Sequence, residues 1–249
     1  MTAARPSGRG DLLAGIELVV FDKDGTLIDF DAMWTPWVLE LTRRLEAVAR
    51  LPLAPRIDAE LGFDRAGGRT IAGRPLAILP MADLRAATVD VVERAGLPRD
   101  AAESAVDDAW FIPDPVAAAR AVTDLAALFA SLRTHGIRTA VATSDDHAPT
   151  AATLQALGVG DLVDAIVGAD DGLARKPAPD AVLHICELLG VPPARTAVVG
   201  DSAADLEMGR AAGAARTIGV LTGVSARSAL APYADAILDS VADLVDGRV

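Results

Sequence analysis

The chain has 249 residues, 51% of them hydrophobic and 23% charged, which excludes a disordered chain and allows one large domain or two unequal ones. A formal net charge of −12 without any cluster of Lys and Arg excludes general nucleic-acid binding, because clustered cations are what hold phosphate backbones. The single cysteine, Cys186, excludes a disulfide framework; in the apolar segment AVLHICELLG it reads as a packed residue rather than a thiolate metal ligand.

Residues 1–10, MTAARPSGRG, combine Gly, Pro, Ser and Arg without periodicity and read as an untethered tail. Two arginines and no apolar run argue against a secretory signal. No apolar stretch approaches the roughly 18 residues of a membrane span, so a soluble cytoplasmic protein is expected. IELVVFD then reads as a buried strand ending in Asp22. Over residues 31–112 the pattern becomes helical: MWTPWVLELTRRLEAVAR, LAILPMADLRAATVDVVERAGL and AAESAVDDAW all carry helical spacing, and the proline-rich FIPDPV brings the chain back. Short β-branched runs next alternate with Ala- and Leu-rich segments. GIRTAVATS, DAIVGA, RTAVVGD, AARTIGV and the weaker ADAILD are the candidate strands, with helices beginning near Ala117, Ala148, Pro179, Ala203 and Ser240. The expected fold is α/β: a Rossmann-like parallel sheet with helices on both faces, formed by residues 11–30 and 113–249, plus a smaller all-helical domain inserted after the first strand over residues 31–112.

Three candidate strands end in acid or hydroxyl residues: Asp22, Thr143 with Ser144, and Asp201. In an open parallel sheet the ligand crevice lies beyond the carboxyl ends of the strands, where these side chains can converge. On an extended backbone, Asp22 and Asp24 face the same way while Lys23 projects to the opposite face. Two carboxylates held close share a proton or hold a cation. Gly25 permits a tight turn and Thr26 supplies a hydroxyl, although FDKDGT by itself reads equally well as a solvated turn. Asp201, and Asp205 one helical turn on, add hard oxygen ligands of the kind Mg²⁺ prefers; singly they read as an N-cap and a solvated side chain. Lys176 alone reads as a surface lysine, and Thr143 with Ser144 as helix caps.

Taken in order, FDKDGTL, VATS, RKP and GDSAAD resemble the haloacid dehalogenase superfamily, specifically its phosphoglycolate phosphatase-like members with a helical cap inserted after the first strand; the likeness runs from Asp11 to Val249. The resemblance implies an Mg²⁺-dependent phosphatase acting on a small phosphorylated metabolite, a phosphoglycolate-like acid or a sugar phosphate. In that reading Asp22 is the nucleophile that forms an aspartyl-phosphate, and Asp24 is the acid that protonates the leaving alcohol and then the base that activates water. Thr143 binds a phosphoryl oxygen and Lys176 offsets the charge of nucleophile and phosphate. Asp22, the backbone carbonyl of Asp24, Asp201 and Asp205 form the magnesium site. Gly25, Thr26 and Ser144 are the expected substrate contacts in the core.

The acid at Asp24 disfavours dehalogenation, which needs no protonated leaving group, and residues 31–60 lack the lysine that phosphonatases of the superfamily carry early in the cap. Mutases of the β-phosphoglucomutase type keep both aspartates and stay as an alternative. Within the cap, GGRTIAGRP reads as a mobile loop whose Arg69 and Arg74 are candidates to meet a substrate carboxylate or second phosphate, although either arginine alone reads more simply as part of a solvated hinge or turn. Trp34 and Trp37, three apart on a helix, suit either a substrate entrance or core packing. Two departures from the family pattern stand out. Lys23 occupies a position usually apolar, and Asp145 and Asp146 add negative charge that opposes anion binding unless they cap the helix at His147 and Ala148 and point away. A phospho-accepting receiver and a non-catalytic regulatory protein are the other classes weighed; length, the insertion and DKDGT at the first strand count against the receiver, and intact Asp22, Asp24, Lys176 and Asp201 against the regulatory protein.

Overall fold

The computed structural model describes residues 12–245, so the tail expected over residues 1–10 lies outside the described residues. In chain order, β1 (Leu18–Phe21) is followed by α1 (Phe30–Ala49), α2 (Ala54–Leu61), the two-residue strands β2 (Phe63–Asp64) and β3 (Arg69–Thr70), the one-turn α3 (Pro75–Ile78), α4 (Met81–Arg94), α5 (Arg99–Ala109) and the one-turn α6 (Pro115–Ala118). Then come α7 (Leu125–Thr134), β4 (Arg138–Ala142), α8 (His147–Ala156), β5 (Ala165–Val167), α9 (Asp180–Leu189), β6 (Thr196–Gly200), α10 (Ala203–Ala212), β7 (Arg216–Val220), the one-turn α11 (Arg227–Leu230) and β8 (Ala236–Leu238). The chain divides into two compact units, one of residues up to Asp29 together with those from Ala119 onward, the other Phe30–Ala118.

The first unit is a parallel α/β sheet of six strands in the order β5-β4-β1-β6-β7-β8. Alternation along β1 sorts its side chains: Val19 and Phe21 join α7 residues Leu125, Leu128, Phe129 and Leu132 on one face. Leu18 and Val20 join Val182, Ile185 and Cys186 of α9 and Met208 of α10 on the other. Burial on both faces is why these strands read as continuous apolar runs. Cys186 is a packing residue, its thiol 3.4 Å from the Thr196 hydroxyl and pushed up from its ordinary pKa by burial. The chain leaves β1 toward β4 on one side of the sheet and reaches β6 on the other, so the strand order switches beside the carboxyl end of β1, the usual ligand crevice of such sheets.

Two helix starts differ from the sequence reading. The helix expected near Ala117 begins at Leu125, because residues around Ala121 pair with the loop after β1: Asp29 N–H donates to Arg120 O and Val122 N–H to Leu27 O, both within 3.0 Å. Asp124 then caps α7 by accepting from Ala127 N–H at 2.9 Å. The stretch after Ser240 is a single 3-10 turn, Val241–Leu244, closed by a Ser240–Asp243 capping box.

In the second unit, Trp37, Leu41 and Leu45 recur every four residues along α1 and pack with Ile57 and Leu61 of α2, Leu84, Val91 and Val92 of α4, and Val106 of α5. Trp37 is a core residue: it is 2% exposed, its Nε1 donates to Phe111 O at 2.9 Å, and Trp34 meets it edge-on at 5.4 Å. The helices are supplemented by an antiparallel β2–β3 ribbon, pairing Phe63 with Thr70 and Asp64 with Arg69. The sequence pattern misses this ribbon because each strand has only two residues. Among the described residues, no helix is long and apolar enough to cross a membrane.

Candidate active site

The site is built at the carboxyl ends of β1, β4 and β6. Asp22 N–H still donates to Val199 O at 2.8 Å, extending the ladder by one residue, and there the extended backbone stops. Lys23 O accepts from Leu27 N–H at 2.9 Å and Ile28 N–H at 3.0 Å, and Gly25 takes φ +83°, curling residues 23–28 into a tight loop. Gly25 is required twice over: few side chains adopt that φ, and a Cβ there would lie 2.7 Å from the Asp201 carboxylate.

The curl overturns the expectation that Lys23 projects to the opposite face. Its ammonium lies 2.8 Å from Asp24 Oδ1, 2.6 Å from Asp24 Oδ2 and 2.9 Å from Asp145 Oδ2, with the side chain 1% exposed. Residue alternation holds only on a strand, and the strand has ended before Lys23. Asp145 likewise does not cap α8 but pairs with Lys23. The capping role falls to the loop after β5, whose Asp170 Oδ1 accepts from His147 N–H at 2.7 Å, while Asp171 Oδ2 meets His147 Nδ1 at 3.0 Å. Asp146 is the N-cap residue by position only, with no side-chain cap bond.

A second buried cluster joins Asp22, Lys176, Asp201 and Asp205. Lys176 Nζ donates to Asp22 Oδ1 at 2.5 Å and to Asp205 Oδ1 at 2.6 Å. Asp205 Oδ2 accepts from Ser202 N–H at 3.1 Å and Ser202 Oγ at 2.5 Å, while Ser202 Oγ accepts from Asp205 N–H, closing a capping box at the start of α10. Asp201 Oδ2 accepts from Val224 N–H at 2.9 Å. The loop after β7 thus closes the site, and Thr222 Oγ1 ties it to Gly25 O at 2.7 Å. This loop is absent from the sequence reading; its contacts are backbone groups and one hydroxyl, and Gly223 after a strand is the only signal it gives. A Cβ on Gly223 would stand 2.0 Å from Asp201 Oδ2.

Burial dominates the electrostatics. It pushes the Asp22 carboxyl up to about 7; Lys176 opposes the rise and the charges of Asp205 and Asp24 add to it. Asp201 rises well above the carboxylate range through burial and then the charges of Asp22 and Asp205. Asp24 is raised by burial, against the pull of Lys23. For Lys176, burial alone would lower the pKa, but Asp205 and Asp22 outweigh it and the net shift is upward. Lys23 behaves likewise through Asp24 and Asp145. Carboxylate oxygens of Asp22, Asp201 and Asp205 lie within 4.8 Å of one another. Three carboxylates against one ammonium leave a formal excess of two negative charges, and an all-oxygen donor set of that charge fits a hard divalent cation.

Thr143, 7% exposed, ends β4, and its Oγ1 accepts from Asp145 N–H at 3.1 Å. Ser144 is exposed, whereas Thr26 is fully buried and its hydroxyl meets no partner among the described residues. The Asp24 side chain lies with Lys23 rather than among the three clustered carboxylates. In the other unit Arg69 is exposed on β3, and Arg74 donates to Ala59 O at 2.7 Å near the end of α2. The stretch 67–75 thus includes one strand of the ribbon and that bond.

Residues 16–213 match the model of a hydrolase family described as haloacid dehalogenase-like hydrolase. The chain is 30% identical over 195 residues to a phosphoglycolate phosphatase of Rhodospirillum rubrum, covering 78% of this chain and 76% of that protein. It is 31% identical over 229 residues to a protein of Dickeya dadantii named "Probable phosphatase IndB", covering 92% and 91%. Among solved structures, a "putative beta-phosphoglucomutase" from Thermotoga maritima superposes with a TM-score of 0.65 at 20% identity, over 93% of this chain and 97% of that one, a likeness of fold.

Proposed function

Since the chain belongs to the haloacid dehalogenase-like hydrolase family, we propose that it is an Mg²⁺-dependent phosphatase of small phosphate monoesters, working through an aspartyl-phosphate on Asp22. The observation that carries this reading is the Asp22 carboxylate, buried at the end of β1 and bonded to Lys176 beside Asp201 and Asp205. An anionic nucleophile approaching an anionic ester needs positive charge at the point of attack, and Lys176 is held there by two carboxylates. Asp22, Asp201 and Asp205, with the Asp24 carbonyl, are the groups that would hold Mg²⁺, which when bound offsets charge on the nucleophile and the phosphoryl oxygens.

In the first step an Asp22 oxygen attacks phosphorus, the bond from phosphorus to the ester oxygen breaks, and Asp24 gives its proton to the departing alkoxide. In the second step Asp24, now a carboxylate, takes a proton from water as that water attacks phosphorus; the Asp22–phosphorus bond breaks and orthophosphate leaves. The Thr143 hydroxyl, at the end of β4, donates to a phosphoryl oxygen. The phosphoglycolate phosphatase relative makes small phosphorylated acids the first class to test.

The purified protein, screened against phosphorylated acids and sugars, should release orthophosphate from at least one of them with Mg²⁺ and stop when a chelator is in excess. Release across the panel that ignores the chelator removes the divalent cation. No release from any ester removes the phosphatase, and transfer to a sugar acceptor in its place makes the protein a mutase. Gly223→Ala tests the metal site more finely: its Cβ would displace the Asp201 carboxylate, so the Mg²⁺ concentration for half-maximal rate is expected to rise on the order of 10-fold, read by titrating the metal at saturating substrate.

A further inference from the structure

The structure joins Lys23 to Asp145 beside the nucleophile position. A buried ammonium costs several kcal/mol in lost hydration unless carboxylates surround it. Lys23 meets two, Asp24 and Asp145, at 2.6 and 2.9 Å. Asp145 is itself fixed by two neighbouring strands: its N–H donates to Thr143 Oγ1 at the end of β4, and its carbonyl accepts at 2.8 Å from Ala169 N–H after β5. Gly168 leaves the room for this approach, since a Cβ there would lie 2.9 Å from Asp145 O. A rigid path therefore leads from the β4 and β5 loops through Asp145 and Lys23 to both oxygens of Asp24. With an apolar residue at position 23, Asp145 would add a like charge near Asp24; with a neutral residue at 145, Lys23 would lose its link to the β4 loop.

We propose that Lys23 and Asp145 act as one positioning pair that aims the Asp24 carboxyl at the leaving-group oxygen. The proposal rests on the phosphatase reading above and deepens it. Neither residue touches substrate; both act through Asp24. Their effect must therefore scale with how much the leaving group needs a proton. An alkoxide departs poorly without one, whereas para-nitrophenolate departs readily unprotonated.

The measurement is kcat/KM, which reports the steps through phosphorylation of Asp22, for an alkyl phosphate and for para-nitrophenyl phosphate. In Lys23→Met the alkyl ester is expected to lose roughly 100-fold and the aryl ester less than about 5-fold. Asp145→Asn, which leaves Lys23 bonded to Asp24, should shift the ratio in the same direction by a smaller factor, about 3- to 10-fold, and carries the test if Lys23→Met does not fold. Equal losses for the two esters, or an unchanged ratio in Asp145→Asn, overturn the positioning role while leaving the phosphatase intact. Wild-type protein that hydrolyses neither ester, or Asp22→Asn that still hydrolyses both, overturns the phosphatase reading itself.

Discussion

Asp22→Asn is expected to abolish ester hydrolysis and, in the metal-free protein, to raise resistance to urea at pH 8. The kinetic half follows from chemistry: an amide oxygen in place of the carboxylate removes the nucleophile, a loss on the order of 10⁴-fold or more in kcat. The stability half follows from burial. The folded protein holds the Asp22 carboxyl up at about 7 against an ordinary 3.8, so its charged form is disfavoured on folding. Below the ordinary value, Asp22 is protonated in both states and the substitution changes little. As pH rises from there through about 7, the unfolded chain ionises Asp22 first and wild-type stability falls; above it the penalty is complete. The advantage of Asn should therefore be small at pH 4 and full at pH 8, checked by urea denaturation with chelator present. A substitution that silences the enzyme but destabilises it equally at both values would remove Asp22 from the buried charge cluster.

Lys176→Met carries the opposite stability effect. The ammonium is the shared partner of Asp22 and Asp205, with side chains 11% and 3% exposed. Its removal leaves those carboxylates beside Asp201 with no cation, a situation expected to cost about 3–5 kcal/mol at neutral pH. Denaturation midpoints should recover toward wild type as pH falls and the carboxyls take up protons, and partly on adding Mg²⁺ at pH 8. Turnover should not recover in either case, because the cation at the point of attack is gone. A Lys176→Met protein with wild-type stability at pH 8 would show that Asp22 and Asp205 find other partners.

Most of the sheet is legible in the sequence, since LVVF, TAVVG and RTIGV are short runs rich in β-branched residues, of the kind a sheet buries on both faces. The acid cluster is legible too, as Asp22 and Asp201 directly follow strands and Asp205 lies one helical turn on. What escapes is whatever depends on where extended backbone stops. Lys23 lies one residue beyond the ladder, and two-residue alternation continued past Asp22 sends it to the wrong side. The Ala-rich run after Ala117 has helix propensity, but residues around Ala121 are taken as partners by the loop after β1. Asp145 has the usual character of an N-cap, yet a distant lysine competes for it successfully because that lysine is buried. The closing loop at Thr222–Val224 works through a backbone N–H and a hydroxyl, groups every strand end offers.

The family match stops at residue 213, and a chain cut there would keep every charged side chain of the site. It would lose Val224 N–H from Asp201 and the Thr222 tie to Gly25, together with the two strands that carry them into place. Residues 214–245, which carry none of the charged side chains of the site, thus act as the brace against which the acids are set.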